Sequence, residues 1–339
     1  MQFEQFLQNY QKNVTPYYQV FFRYWQNQTK YSGTISNKIL SRFADLYSRG
    51  KQLRGAFSVL GYYLAGGKDK DFILQASIVM ELMETSMLIF DDVIDGDQIR
   101  RGIPTIHNQW TKNKSGKYGN DMAMITSIIG LHLATWQISQ LNLNQKALKS
   151  VLDFYSQNII QTGFGEALDI STADSKLIHY YKTVCYTTYL PFHYGAILHQ
   201  IEATAWLYEL NRLSKILGRI FQIQDDIIGS FGQQKQTGKA NTSDIKGGRW
   251  TMLIELLNDL LDNKDKAVFK KIWQKADRTT EEIEKVKALM IKYQVVDKAS
   301  QKAGQLGKQA IQLIPKITQD QEYQEILGSL VTYLLDRSK

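Results

Sequence analysis

Proline is the residue least compatible with a helix interior, and this chain of 339 residues has only four, Pro16, Pro104, Pro191 and Pro315. Each removes a backbone donor and clashes with the preceding turn, so the long stretches between them are free to be helical. Apolar residues there recur at helical spacing, and no alternating run bounded by hairpin turns interrupts them. Helices are expected over about 3–28, 36–48, 53–65, 71–95, 120–140, 144–168, 174–185, 187–200 and 203–228, then three to five shorter amphipathic ones over 250–337. A loop with Gly96, Gly102 and Pro104 is expected to run on as polar loop through Gly119. The aromatic stripe of the first helix (Phe6, Tyr10, Tyr17, Tyr18, Phe21, Phe22, Trp25) is read as packing or a subunit interface. No repeat or low-complexity linker divides the chain, which predicts a single all-α domain over residues 1–339.

Charge and cysteine content exclude several function classes. The net charge of +8 is spread without a block of five or more like charges, which argues against a nucleic-acid arm and leaves room for anionic small substrates. A single cysteine, Cys185, excludes an internal disulfide framework and a cysteine-based zinc site, and fits a reducing cytoplasm. The opening residues MQFEQFLQNYQKN lack the apolar core of a signal peptide. No window reads as apolar over the length of a spanning helix; Met122–Trp136 comes nearest but is short and contains His132. The expectation is a cytoplasmic protein with no transmembrane segment.

Chemistry concentrates where long helices end. In ELMETSMLIFDDVIDGDQIRRGIPTIH, Asp91 and Asp95 fall four apart on one helical face with Asp92 beside them, and Arg100 and Arg101 follow. Two carboxylates about 4 Å apart repel by roughly 4 kcal/mol at an effective dielectric near 20, so they call for a cation. All-oxygen ligands suit a hard ion such as Mg²⁺, which takes substrate phosphates as further ligands, and arginines suit phosphate. Alone, this cluster reads equally as a solvated acidic helix end. A second cluster, Gln222 with Asp225 and Asp226 in FQIQDDIIGSFG, also sits near a helical C-terminus. Basic residues accompany both: Lys51 and Arg54 in RGKQLRG, Lys182 with Thr183 in YYKTVCYTTYLP, and Lys239, Lys246 and Arg249 in TGKANTSDIKGGRWT. Two helices ending in paired aspartates can face each other across a bundle, as in di-metal carboxylate proteins.

From Arg49 to Thr251 the chain resembles the all-trans isoprenyl diphosphate synthases, or polyprenyl synthetases. Asp91-Asp92-x-x-Asp95 with Arg100-Arg101-Gly102, GEALDI at 165–170, Lys182-Thr183, Phe221-Gln222 with Asp225-Asp226, Lys239, and Asp244 through Thr251 occur in the family's order. The resemblance implies the isoprenoid synthase type I fold, a bundle of long antiparallel helices around a deep central cavity, as a homodimer. Residues 252–339 would be C-terminal helices of that domain. Mg²⁺, as three ions, would be held by Asp91, Asp92, Asp95, Asp225 and Asp226 and clamp an allylic diphosphate. Arg100, Lys182 and Lys239 would bind the same group, while Lys51, Arg54, Arg101 and the residue at position 84 would bind isopentenyl diphosphate. Arg249 keeps the charge of the lysine usual at its place. Thr183 and Gln222 would stabilise the allylic cation. No histidine base or cysteine nucleophile is needed, and the five histidines form no cluster.

The chain departs from the family at the acceptor side. Glu84 stands where His or Gln is usual, and its carboxylate would repel isopentenyl diphosphate unless it pairs with Lys51 or Arg54 or turns away. Gln52 replaces Arg, Gly55 replaces Pro, Ser127-Ile128 replaces Gly-Asp, and Gly229 stands where a fuller second motif has its third aspartate. Short-chain members carry aromatics at the positions of Ser86 and Met87. With Met83 a turn deeper, the methionines make a deformable floor, implying a C20 or longer product. Two other readings stay open: a terpene synthase-like enzyme using only an allylic diphosphate, and a non-catalytic subunit of a hetero-oligomeric synthase.

Overall fold

The first helices bear out the expected periodicity. In a computed structural model describing residues 1–111, 114–171, 179–199, 205–231, 243–275 and 277–337, and only the backbone of His179, Thr183, Ser243 and Asp244, α1 spans Phe3–Gln28. It buries Phe6, Tyr10, Phe21 and Phe22 of the aromatic stripe. After a short 3₁₀ turn come α2 (Thr34–Ser48), α3 (Leu53–Leu64) and α4 (Lys70–Asp95). Asp69 caps α4 by accepting the Phe72 N–H at 2.9 Å, satisfying an amide that has no partner within the helix. Gly96, at φ +66°, ends it in the left-handed conformation that glycine adopts without a Cβ penalty.

The loop expected from Gly96 through Gly119 is more ordered than its composition suggests. A two-stranded antiparallel hairpin pairs β1 (Ile99–Arg100) with β2 (Ile103–Pro104), Arg100 opposite Ile103. Arg101 and Gly102 turn it, both at positive φ. Then follow α5 (Ile106–Thr111) and α6 (Gly116–Ser139), with Ser115 capping α6. Next come α7 (Gln145–Ser171), a π-helical segment α8 (His179–Tyr189), α9 (Leu190–Leu198) and α10 (Ala205–Phe231). After the short α11 (Ser243–Gly247), five further helices complete the described chain: α12 (Met252–Leu260), α13 (Asn263–Trp273), α14 (Thr280–Lys292), α15 (Val295–Ile317) and α16 (Gln321–Leu335). The all-α expectation holds, with one minimal hairpin added.

The chain divides into two compact units, Glu4–Ser156 with Pro191–Thr204, and Met1–Phe3 with Gln157–Leu190 and Ala205–Lys339. In the first, α4 packs along α6: Ser127 Oγ donates to the Ser86 carbonyl at 2.8 Å, and a Cβ on Gly130 would meet Ser86 Oγ at 2.2 Å. Helices α3 and α9 also cross closely. A Cβ on Gly61 would lie 2.1 Å from the Phe192 carbonyl oxygen, and one on Gly195 only 1.9 Å from that of Ser58. Beside this crossing Phe57 stacks on Phe192, ring centroids 5.1 Å apart. In the second unit, residues of α10 to α15 share a core that includes Ile223, Leu253, Phe269, Val286 and Ala299.

Contrary to the expected lack of any sufficiently apolar window, α4 and α6 both reach the length and hydropathy of a membrane span. Their qualifying windows are 83% and 50% buried inside the protein. For α4 this is the burial of a core helix, since core and lipid select the same side chains. The α3–α9 crossing predicts that Gly195→Ala destabilises the protein by about 1–3 kcal/mol through overpacking. Gly163→Ala, a mid-helix position on α7 with nothing within 4 Å of the added carbon, should instead stabilise it by up to about 1 kcal/mol. Urea unfolding of the two variants checks both signs.

Candidate active site

The capped end of α4 positions the first carboxylates. Asp91 and Asp95 lie one turn apart, and the left-handed turn at Gly96 brings Asp97 back to them. One oxygen from each of these three aspartates lies within 4.8 Å of the others. Such an all-oxygen donor set fits a hard divalent ion such as Mg²⁺.

Asp92, expected among the ligands, is not part of this group. Its side chain is fully buried and faces Arg100, whose Nε donates to Asp92 Oδ1 at 2.7 Å. Arg100 Nη2 also lies 2.5 Å from Asp92 Oδ1, 3.0 Å from Asp97 Oδ2 and 3.4 Å from Asp91 Oδ2. Burial alone would lower the guanidinium pKa, but Asp92 and Asp91 outweigh it and raise the value. The hairpin therefore delivers a permanent cation into the acidic cluster. Thr105, whose Oγ1 donates to the Asp97 carbonyl at 2.9 Å, braces the turn.

A second basic group forms where α3 begins beside α4. Arg54 Nη1 makes a 2.9 Å ion pair with Glu84 Oε1, one of the two pairings that would relieve the expected repulsion. Arg101 Nη2 is 4.0 Å from the same oxygen, and its Nη1 donates to the Leu46 carbonyl at 2.8 Å. Burial lowers the pKa of Arg101, with Glu84 opposing the shift. Lys51 is exposed at the edge of this group. Gly55 also has a physical account here: its N–H donates to the buried Glu81 at 2.8 Å, and the Tyr10 hydroxyl would lie 1.9 Å from an added Cβ. Proline would lose that bond and meet that ring. Burial raises the pKa of Glu81 and lifts that of Tyr10 well above the ordinary tyrosine value.

Of the chain-length candidates on α4, Met83 and Ser86 are fully buried, and Met87 is 7% exposed. Ser86 faces Gly130 on α6 and donates to the Leu82 carbonyl, so it borders packed protein rather than open space. Met87 is the most exposed of the three.

In the second unit, Lys182 on α8 lies 2.9 Å from Glu166 Oε2 and 2.6 Å from Asp169 Oδ2, the two acids of GEALDI on α7. Gly165 permits this approach, since a Cβ there would stand 2.4 Å from the Lys182 nitrogen of the main chain. Only the backbone of Thr183 is described, and Lys239 lies outside the described residues. Asp225 and Asp226, adjacent on α10, part company. Asp225 Oδ1 pairs with Arg337 Nη1 at 2.7 Å, and that guanidinium stacks 4.0 Å above the Phe221 ring. Asp226 is buried and accepts from Gln222 Nε2 at 2.6 Å and from the Met252 N–H at 2.9 Å, holding the first turn of α12. Arg249 is half-buried just before α12. The segment leading to it is braced by Arg278, which donates to the Lys246 carbonyl at 3.3 Å and packs against Gly248. Cys185 is buried, and burial pushes its thiol up to about 11, consistent with a thiol that takes no part in chemistry.

Sequence reasoning missed Asp97, Glu166, Asp169, Arg278 and Arg337 as members of these groups. The signal that could have found Asp97 is a glycine stop followed at once by an acid, and for the next two it is the three-residue spacing in GEALDI. Arg278 and Arg337 carry no local signal; tertiary structure alone brings them in.

A geranylgeranyl diphosphate synthase of Sulfolobus acidocaldarius is 27% identical over 314 residues, covering 90% of this chain and 91% of that protein. A geranylfarnesyl diphosphate synthase of Aeropyrum pernix is 26% identical over 308 residues, covering 86% and 91%. The crystal structure of a geranylgeranyl pyrophosphate synthase from Corynebacterium glutamicum, complexed with isoprenyl diphosphate and magnesium, superposes with a TM-score of 0.87 at 21% identity over 99% of this chain and 100% of that one. That likeness shows a shared all-α fold. Residues 37–290, a span that includes both aspartate clusters and the Lys182 group, match the model of the polyprenyl synthetase family, and the chain belongs to that family.

Proposed function

We propose that this protein is a Mg²⁺-dependent trans-prenyltransferase that condenses isopentenyl diphosphate with an allylic diphosphate to a C20 or longer polyprenyl diphosphate. The observation that carries the reading is the convergence of Asp91, Asp95 and Asp97 at one point beside Arg100, in a chain of this family. Asp91 and Asp95 serve as ligands to Mg²⁺, with Asp97 beside them, and Asp225 serves the second motif; three ions is the number the resemblance suggests. Bound there, Mg²⁺ supplies the positive charge that stabilises the departing diphosphate. Arg100, Lys182 and Lys239 bind that diphosphate, and Arg249 adds charge near it. The family resemblance assigns Thr183 and Gln222 to stabilising the allylic cation formed when the C1–O bond breaks. Lys51, Arg54 and Arg101 hold isopentenyl diphosphate, whose terminal alkene carbon attacks C1. The proton then lost passes to the released diphosphate. Asp92 and Asp226 act by positioning: the first holds Arg100, the second holds Gln222 and the start of α12.

In this reading both compact units belong to one catalytic domain, a view supported by a family match that runs through both. A cytoplasmic homodimer is part of the proposal. Supporting dimerisation are the exposed Ile125 and Ile128 on α6, and a largely apolar groove of 610 Å³ lined by Trp25, Leu40, Ile128, His132 and Trp136. The pairing of Arg54 with Glu84 favours a second reading, an enzyme that uses the allylic diphosphate alone.

Incubating the purified protein with Mg²⁺, labelled isopentenyl diphosphate and C5, C10 or C15 allylic diphosphates should yield C20 or longer products by chromatography. No incorporation with any partner would refute elongation, and hydrocarbon from the allylic substrate alone would establish the second reading. Asp91→Ala should lower kcat about 100-fold or more, with the fold unchanged by circular dichroism. Met87→Phe should shift the product towards C15, because the ring fills the floor beside the least buried of the three candidates.

A further inference from the structure

Glu84 is a carboxylate placed inside a group of cations that the preceding reading assigns to a diphosphate. Its side chain is 8% exposed, and those of Arg54 and Arg101 are 9% and 14% exposed. Both guanidiniums approach the same oxygen, Oε1, at 2.9 and 4.0 Å. The other oxygen, Oε2, is buried and has no hydrogen-bond partner among the described residues. One turn earlier, Glu81 is already committed to the Gly55 N–H. The two arginines are thus matched by two acids before any ligand arrives. An incoming phosphate meets a guanidinium whose Nη1 is already engaged, and a second carboxylate oxygen with no donor of its own. Pairing with Arg54 removes the repulsion expected of a bare carboxylate, but the guanidinium it engages serves a phosphate only when that pair is exchanged.

We propose that Glu84 tunes the affinity of the acceptor site: it is an internal anion that competes with the acceptor diphosphate for Arg54 and Arg101. The inference rests on the reading of Lys51, Arg54 and Arg101 as the acceptor site. Glu84 touches no reacting atom in this account; it acts through the two arginines. Its charge, rather than its shape, carries the effect.

The test is a titration of the full-length protein with inorganic pyrophosphate in EDTA, where metal-dependent binding at the aspartates is silent. Glu84→Gln keeps the size and removes the charge, and should bind pyrophosphate about tenfold more tightly, equivalent to about 1.4 kcal/mol. Glu84→Asp keeps the charge and should stay within about threefold of the parent. Because removing one member of a buried ion pair destabilises a protein, each variant is also melted with and without pyrophosphate. The rise in Tm should be largest for Gln. In the elongation assay the change should fall on the KM for isopentenyl diphosphate, with kcat and the allylic KM steady. Unchanged or weaker pyrophosphate binding by Glu84→Gln, or identical behaviour of the Gln and Asp variants, would overturn the proposal. Absence of elongation by the parent protein would count against the functional reading alone, since the titration is read without turnover.

Discussion

Arg100 holds the end of α4 together. Asp91, Asp92 and Asp97 all reach its guanidinium, and without a cation these acids would repel one another in a poorly solvated place. The rest of the first cluster follows from that need. Gly96 must turn left-handed to bring Asp97 back, and the two-residue strands must form so that Arg100 projects towards α4 rather than into solvent. A minimal hairpin of little intrinsic stability is fixed by one charge network and by Thr105.

The same pattern recurs in the other charged groups of each unit. Arg54 and Arg101 meet Glu84, Lys182 meets Glu166 and Asp169, and Asp225 meets Arg337. These contacts neutralise charges that are costly to bury alone, and they leave each group preassembled. On the proposed function, a metal–diphosphate complex would bind by exchanging ion-pair partners. New charge does not have to be gathered from solvent, and the side chains are ordered beforehand. Fixed dipoles and charges of this kind are what stabilise a departing anion efficiently.

Much of this was legible in the residues. The run of α4, its glycine stop, the Asp91–Asp95 spacing and the second pair on α10 follow from helical periodicity and capping chemistry, which are local. The hairpin was not legible, because IRRGIP carries a turn signal and only two residues per strand. The π-helical α8 was read as the end of one ordinary helix, 174–185, and the start of another, 187–200, since its side-chain periodicity differs little over eleven residues. Asp226 could not be told from Asp225 by sequence; what separates them is the amide of Met252, 26 residues on. Gly55 shows the reverse case. It looked like a loss at the acceptor site, and it is matched by Glu81 and Tyr10, partners that lie far from it in the chain.

The central claim is that Asp91 and Asp97 exchange part of their pairing with Arg100 for a divalent metal, held together with Asp95, when a diphosphate binds. The most direct measurement is the anomalous scattering of crystals grown with Mn²⁺ and pyrophosphate. The account predicts a metal peak bonded to Asp91 and Asp95, with Arg100 turned from Asp91 towards a phosphate oxygen while still held by Asp92. Clear pyrophosphate density with no metal peak at these carboxylates, and Arg100 still bound to Asp91, Asp92 and Asp97, would contradict it.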